Sequence, residues 1–193
     1  MNTTDELGDL EREVDNSEHE HTEQAYTESW CKHGEIGHVV LSSGAGARYL
    51  RVGSGPPLLL MHTVRTQLDH FQLVIPKLTD AFTVYALDLP GMGWSDIVPG
   101  ASYEEPALRA AVVRVVEELD LSDFTLAGES MGATLALTAS VDLGERVRRV
   151  VAFNTYDFAG GLKRGNLFAR LVVGSIEAPV VGPMVARLES RRI

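Results

Sequence analysis

Between Gly37 and Phe153, short apolar runs alternate with stretches in which apolar residues recur at spacings of three and four. Val39-Val40-Leu41 and Arg48-Tyr49-Leu50-Arg51-Val52 flank a glycine-rich turn at Ser43-Gly44-Ala45-Gly46, the pattern of a β-hairpin. Leu58-Leu59-Leu60-Met61 is an unbroken apolar run, as expected of a strand buried on both faces. A helix is expected over Thr66–Leu78, with Leu68, Phe71, Ile75 and Leu78 on one side and Pro76 disturbing its last turn. The alternation then runs strand (82–87), helix (103–119), strand (124–127), helix (131–141) and strand (147–153). The second helix carries Leu108, Ala111, Val112, Val115, Val116 and Leu119 as its core stripe. Strands alternating with helices predict an α/β protein, a mostly parallel sheet with helices on both faces.

The ends of the chain lack this pattern. Residues 1–30 hold ten of the 27 acids and one of the 17 bases, so this segment carries −9 of the formal net charge of −10. A polar segment with clustered like charge is expected to be disordered, and residues 1–30 are assigned to it. Its His19 and His21 stand among glutamates without the surroundings that fix a metal, so no metal and no cofactor are expected. Residues 31–154 form the expected core and 155–193 a partial lid of helical pieces. The near-neutral body has no basic stripe to meet phosphates, which argues against a nucleic-acid partner. One cysteine, Cys31, fits a reducing compartment. Neither a signal peptide nor an apolar run of about 18 residues is present, so no membrane span is expected and a cytoplasmic location is.

Gly128-Glu129-Ser130-Met131-Gly132 is the most informative stretch. It matches G-x-S-x-G and falls between an expected strand and an expected helix, where glycines permit a sharp turn that presents a serine hydroxyl. The helix start behind Ser130 directs free N–H groups toward that position and favours developing negative charge.

With this motif the chain resembles the α/β-hydrolase superfamily, as a serine-nucleophile, lid-bearing, esterase-like member. Two more segments carry the resemblance: Leu58-Leu59-Leu60-Met61-His62 with Thr63-Val64-Arg65, similar to the strand and His-Gly oxyanion loop, and Asp88-Leu89-Pro90-Gly91-Met92-Gly93-Trp94-Ser95, similar to D-x-P-G-x-G-x-S. Thr63 stands where the family usually has glycine. The resemblance implies Ser130 as nucleophile and the backbone N–H groups of Val64 and Met131 as oxyanion hole. It implies His62, Thr63 and Asn154 as site-lining or loop-structuring residues, Asp88 as a loop-holding carboxylate, and Asp157 as a candidate acid. His62 is also a general base on chemistry alone, and His70 reads as an exposed or packing residue. A serine rather than an aspartate at this turn points to acyl transfer, with a small-molecule acyl substrate as partner and an acyl-enzyme on Ser130.

In that family the order is Ser, acid, His. All six histidines here (19, 21, 33, 38, 62 and 70) precede Ser130. The expectation is therefore a chain truncated at its C-terminus, with the catalytic histidine and last strands missing. The alternative is a non-catalytic relative serving as a binding or interaction module. A shortened sheet would leave an edge open to self-association.

Overall fold

The chain divides into two compact units, Met1–Thr155 and Tyr156–Ile193, and a computed structural model describes residues 22–155. Residues 22–28 are helical (α1). The hairpin follows as β1 (Glu35–Val40) and β2 (Gly46–Gly53), paired antiparallel with Val39 opposite Ala47. Then come β3 (Pro57–Met61), β4 (Thr83–Leu87), α2 (Glu105–Glu118), β5 (Phe124–Glu129), α3 (Met131–Leu143) and β6 (Val147–Phe153). The sheet order is β1-β2-β4-β3-β5-β6, and β4, β3, β5 and β6 run parallel. The expected α/β architecture is present.

Period-two alternation divides the apolar residues between two cores. Leu59 and Met61 of β3 join Leu126 of β5 beneath α2 and α3, whose buried stripe includes Leu108, Val112, Val115, Val116, Leu135 and Ala139. Leu58 and Leu60 join Leu50, Val52, Val84 and Ala127 on the opposite face, beneath Cys31, Leu68 and Ile75. Both faces of β3 are thus dry, as its unbroken apolar run requires. Burying one leucine side chain of this kind is worth about 1.5–3 kcal/mol. β6 pairs with β5 alone among the described residues, and its Val151 and Phe153 are exposed. No described helix is long and apolar enough to cross a membrane.

Two expectations are corrected. The helix expected over Thr66–Leu78 is instead two 3-10 turns, Leu68–Phe71 and Ile75–Lys77. A continuous α-helix would put Pro76 in its interior, without a donor and against the carbonyl of Gln72. Pro76 lies instead in the first turn of the second 3-10 helix, where no N–H is needed. The apolar spacing still holds, since Leu68 and Ile75 are buried. The second correction concerns the acidic head. Its residues 22–28 are helical, and Glu23 and Thr27 are buried at 1% and 0% exposure. Glu23 escapes the cost of a buried lone charge because β2 supplies the Arg48 guanidinium beside it. The remaining head residues 1–21, and the lid assigned to 155–193 beyond Thr155, lie outside the described residues.

Candidate active site

The carboxyl ends of β3, β4 and β5 share one edge of the sheet, and the loops leaving them carry the three motifs. Ser130 is the hinge between β5 and α3. Its φ of 53° and ψ of −108° mirror an extended conformation, a region costly for any residue with a Cβ. The turn is held at both ends: Ser130 N–H donates to the Phe153 carbonyl at 2.8 Å, and the Ser130 carbonyl accepts the Thr134 N–H at 3.0 Å.

The two glycines of the motif are required by close approach. A Cβ on Gly128 would lie 2.3 Å from the carbonyl of Gly132. One on Gly132 would lie 2.3 Å from the Met61 carbonyl oxygen and 2.6 Å from that of His62. Their absence lets the first turn of α3 rest directly on the end of β3 and the start of its loop. Met131 is the first residue of α3, so its N–H has no intrahelical acceptor. The Val64 N–H also makes no hydrogen bond among the described residues.

His62 is fully buried. Its Nε2 accepts the Leu89 N–H at 3.0 Å, so the ring proton sits on Nδ1 and is donated to the Thr63 carbonyl at 2.7 Å. Burial holds its pKa below the ordinary imidazole value of 6.5, with the Thr63 carbonyl and the Asp88 charge opposing that shift. A neutral ring with both nitrogens engaged is a loop brace, joining the β3 loop to the β4 loop; it has no free lone pair to act as a base. Thr66 Oγ1 donates to the same Thr63 carbonyl at 2.9 Å, fixing the loop a second time. Thr63 itself stays out of the left-handed region, and the loop takes its positive φ at Arg65 (61°).

Asp88 is likewise fully buried. Its Oδ1 accepts the Leu68 N–H at 2.6 Å, and its Oδ2 accepts the Trp94 N–H at 3.0 Å and Arg48 Nη1 at 2.9 Å. It therefore holds loops, as the resemblance implies. Ser95 continues the brace: its Oγ donates to the Asp88 carbonyl and accepts the Arg48 N–H.

Sequence reasoning missed two participants. Arg48, at 1% exposure, shares the inward face of β2 with Leu50 and Val52. Its position in that alternation was a readable signal, since an inward arginine demands carboxylates. His70, read as exposed or packing, is exposed and meets Phe71 edge-on, and what escaped is its pairing: its Nε2 lies 2.6 Å from Glu129 Oε2, beside Ser130. Asn154 Nδ2 donates to the other Glu129 oxygen at 3.5 Å, from a residue with φ of 52°. These three side chains form a polar cluster at the ends of β5 and β6. The candidate acid Asp157 lies outside the described residues. Among the described residues no group of three His, Cys, Asp or Glu side chains is placed to hold a metal ion.

A family model described as alpha/beta hydrolase fold matches residues 56–172. The 2-hydroxymuconate semialdehyde hydrolase of Pseudomonas sp. is 31% identical over 120 residues, 61% of this chain and 42% of that protein. Haloalkane dehalogenase 2 of Mycobacterium bovis is 28% identical over 131 residues, 68% of this chain and 46% of that protein. The chain thus spans less than half the length of these two relatives. A solved haloalkane dehalogenase from Bradyrhizobium elkani superposes with a TM-score of 0.72 at 20% identity, covering 77% of this chain and 52% of that one. That likeness concerns the fold.

Proposed function

The chain belongs to the α/β hydrolase fold family, and on that premise we propose that Ser130 is the nucleophile of a hydrolase acting on a carboxylic ester or similar acyl carbon. One observation carries this reading. Ser130 sits in a strained hinge between β5 and α3 that two obligatory glycines make possible, and such strain persists where it serves a function. In the reaction, Ser130 Oγ attacks the carbonyl carbon and passes its proton to a base. The N–H groups of Val64 and Met131 receive the oxyanion, and the alcohol leaves with a proton. Water then cleaves the acyl-enzyme to the acid and restores Ser130. The relative named as a dehalogenase does not extend that activity here, because a serine attacks an acyl carbon more readily than it displaces halide from an alkyl carbon.

A second reading has an observation of its own. His62, the histidine nearest the motif loops, has both ring nitrogens committed and so offers Ser130 no base. That favours a binding or interaction module without turnover. Chemical rescue separates the two. The chain is treated with p-nitrophenyl acetate, with and without added imidazole as an external base, and acetylation is mapped by mass spectrometry. The nucleophile reading expects little turnover without imidazole and Ser130-specific acetylation with it, absent in Ser130→Ala. Acetylation that is equal in Ser130→Ala, or missing altogether, refutes it and leaves the module reading.

A further inference from the structure

The acidic head ends in a helix that reaches the β3 loop by two routes. The first is direct: Tyr26 Oη donates to Asp69 Oδ2 at 2.5 Å, and Gln67 Nε2 donates to the same oxygen at 2.9 Å. The second passes through the sheet. Arg48 Nη2 donates to Thr27 Oγ1 at 3.0 Å, and Arg48 Nε lies 3.4 Å from Glu23 Oε2. The same guanidinium donates to Asp88 at 2.9 Å and lies over the Trp94 ring at 5.4 Å from its centroid. Asp88 in turn accepts the Leu68 N–H at the end of the β3 loop, and the neighbouring Leu89 N–H enters the ring of His62 at its start.

The links of the second route are nearly dry. The side chains of Arg48, Glu23 and Asp88 are exposed by 1%, 2% and 0%. In such surroundings the guanidinium cannot trade a lost partner for water, so a change at one link reorients the next. Gln24 anchors α1 independently of both routes, donating to the Gly34 carbonyl at 2.9 Å and accepting the Ile36 N–H at 3.3 Å. Tyr26 and Thr27 are therefore free to act on the loop without being the sole attachment of the helix.

We propose that Arg48, gripped by Glu23 and Thr27 of α1, is a positioning residue for residues 62–69, so that docking of α1 sets where the Val64 N–H stands relative to Ser130. The proposal rests on the Ser130 reading for the meaning of that position. It assigns the end of the acidic head a task at the candidate site, and it makes α1 a place where anything that binds or modifies the head is felt by the loop.

Thr27→Val is the decisive variant. It is isosteric and removes the hydroxyl that receives Arg48 Nη2. Amide exchange is followed by mass spectrometry in peptides covering 62–69 and, for comparison, 108–118. The expected result is exchange about tenfold faster in 62–69, the scale of one buried hydrogen bond lost to a charged donor, with 108–118 unchanged. Thr27→Ser, which keeps the hydroxyl, should return 62–69 to its wild-type rate. Imidazole-assisted acetylation of Ser130 should slow in Thr27→Val and recover in Thr27→Ser. Faster exchange in both regions by one factor means plain destabilisation and overturns the proposal, as does unchanged exchange in 62–69. Tyr26→Phe supplies a milder arm on the direct route, with the same two outcomes. A wild-type chain that is never acetylated at Ser130 refutes the nucleophile reading, whereas a normal wild-type rate that Thr27→Val leaves untouched refutes the positioning role alone.

Discussion

Replacing Gly132 by alanine tests whether close approach, and not turn flexibility, is what the Gly128–Gly132 motif supplies. Gly132 lies in the first turn of α3 and does not have a positive φ, so alanine is acceptable to the backbone there. Helix propensity alone favours the substitution by up to about 1 kcal/mol. Opposing it, the new Cβ would sit 2.3 Å and 2.6 Å from two carbonyl oxygens, those of Met61 and His62. Both belong to backbone, so no flexible side chain can yield; β3 and α3 must separate by about 1 Å. Overpacking of this kind costs about 1–3 kcal/mol, and its upper end applies because two rigid groups are struck at once. The net expectation is a loss of about 2 kcal/mol, or about 4–8 °C in Tm for a domain of this size. Thermal and urea unfolding followed by circular dichroism measure it. Amide exchange should also rise first in 61–66, where the displaced carbonyls lie. Ser140→Ala on the same helix, which meets no such contact, should stay within about 0.5 kcal/mol of wild type. A Gly132→Ala protein with Tm equal to or above wild type would show that helix propensity outweighs the contact and that the glycine is dispensable.

Three further outcomes follow from individual environments. Ser130→Gly should raise Tm by about 2–4 °C, because glycine relieves about 1–3 kcal/mol of backbone strain and forfeits less than that in unfolded-chain entropy; a lower Tm would mean that the hinge is not strained. His62 has a folded pKa below 6.5, so above that value both states are neutral and its contribution to stability is fully present. As pH falls below 6.5 the unfolded chain takes up a proton that the folded chain refuses, and stability drops by up to about 1.4 kcal/mol per pH unit until the folded pKa is passed. Urea titrations between pH 7 and 5 should show a shallower slope in His62→Asn than in wild type, and equal slopes would contradict the buried neutral ring. The Cys31 thiol is 3% exposed and its pKa is raised by burial, so iodoacetamide at mildly alkaline pH should alkylate it at least about tenfold faster in urea than in the native chain; equal rates would place it at the surface.

Features set by local pattern were legible in the sequence. The hairpin, the four parallel strands and the two helices follow from apolar spacing and glycine-rich turns, and β6 was bounded at Val147–Phe153. The Ser130 hinge was legible because its glycines are adjacent in sequence to the residue they serve. What escaped was pairing across distance. Arg48 meets partners 21 and 40 positions away, and His70 meets Glu129 across 59 positions. No periodicity encodes such contacts; they exist only once the strand order is known. The acidic head misled for the same reason. Counted along the chain, Glu23 is one more like charge in a solvated run. Placed beneath Arg48, it is a partner whose removal would leave a buried guanidinium undercompensated.

The location of the candidate site follows from the order in which strands join the sheet. β3 lies between β4 and β5, although β4 follows it in sequence and β5 comes later still. The chain therefore runs from β3 to one neighbour and returns to the other side, which opens a crevice at the carboxyl ends where the direction of winding reverses. The loop after β3, the loop after β4 and the turn after β5 must meet there. Three contacts fix how they meet: Leu89 N–H on His62, Leu68 N–H on Asp88, and the carbonyls of Met61 and His62 beside Gly132. Each joins the β3 loop to a different neighbour or a different point of one. A serine on β5 alone would be an exposed hydroxyl. It becomes a candidate nucleophile because the reversal in strand order brings to the same edge of the sheet the Val64 N–H, from the loop after β3 and 66 positions before Ser130, which makes no hydrogen bond among the described residues.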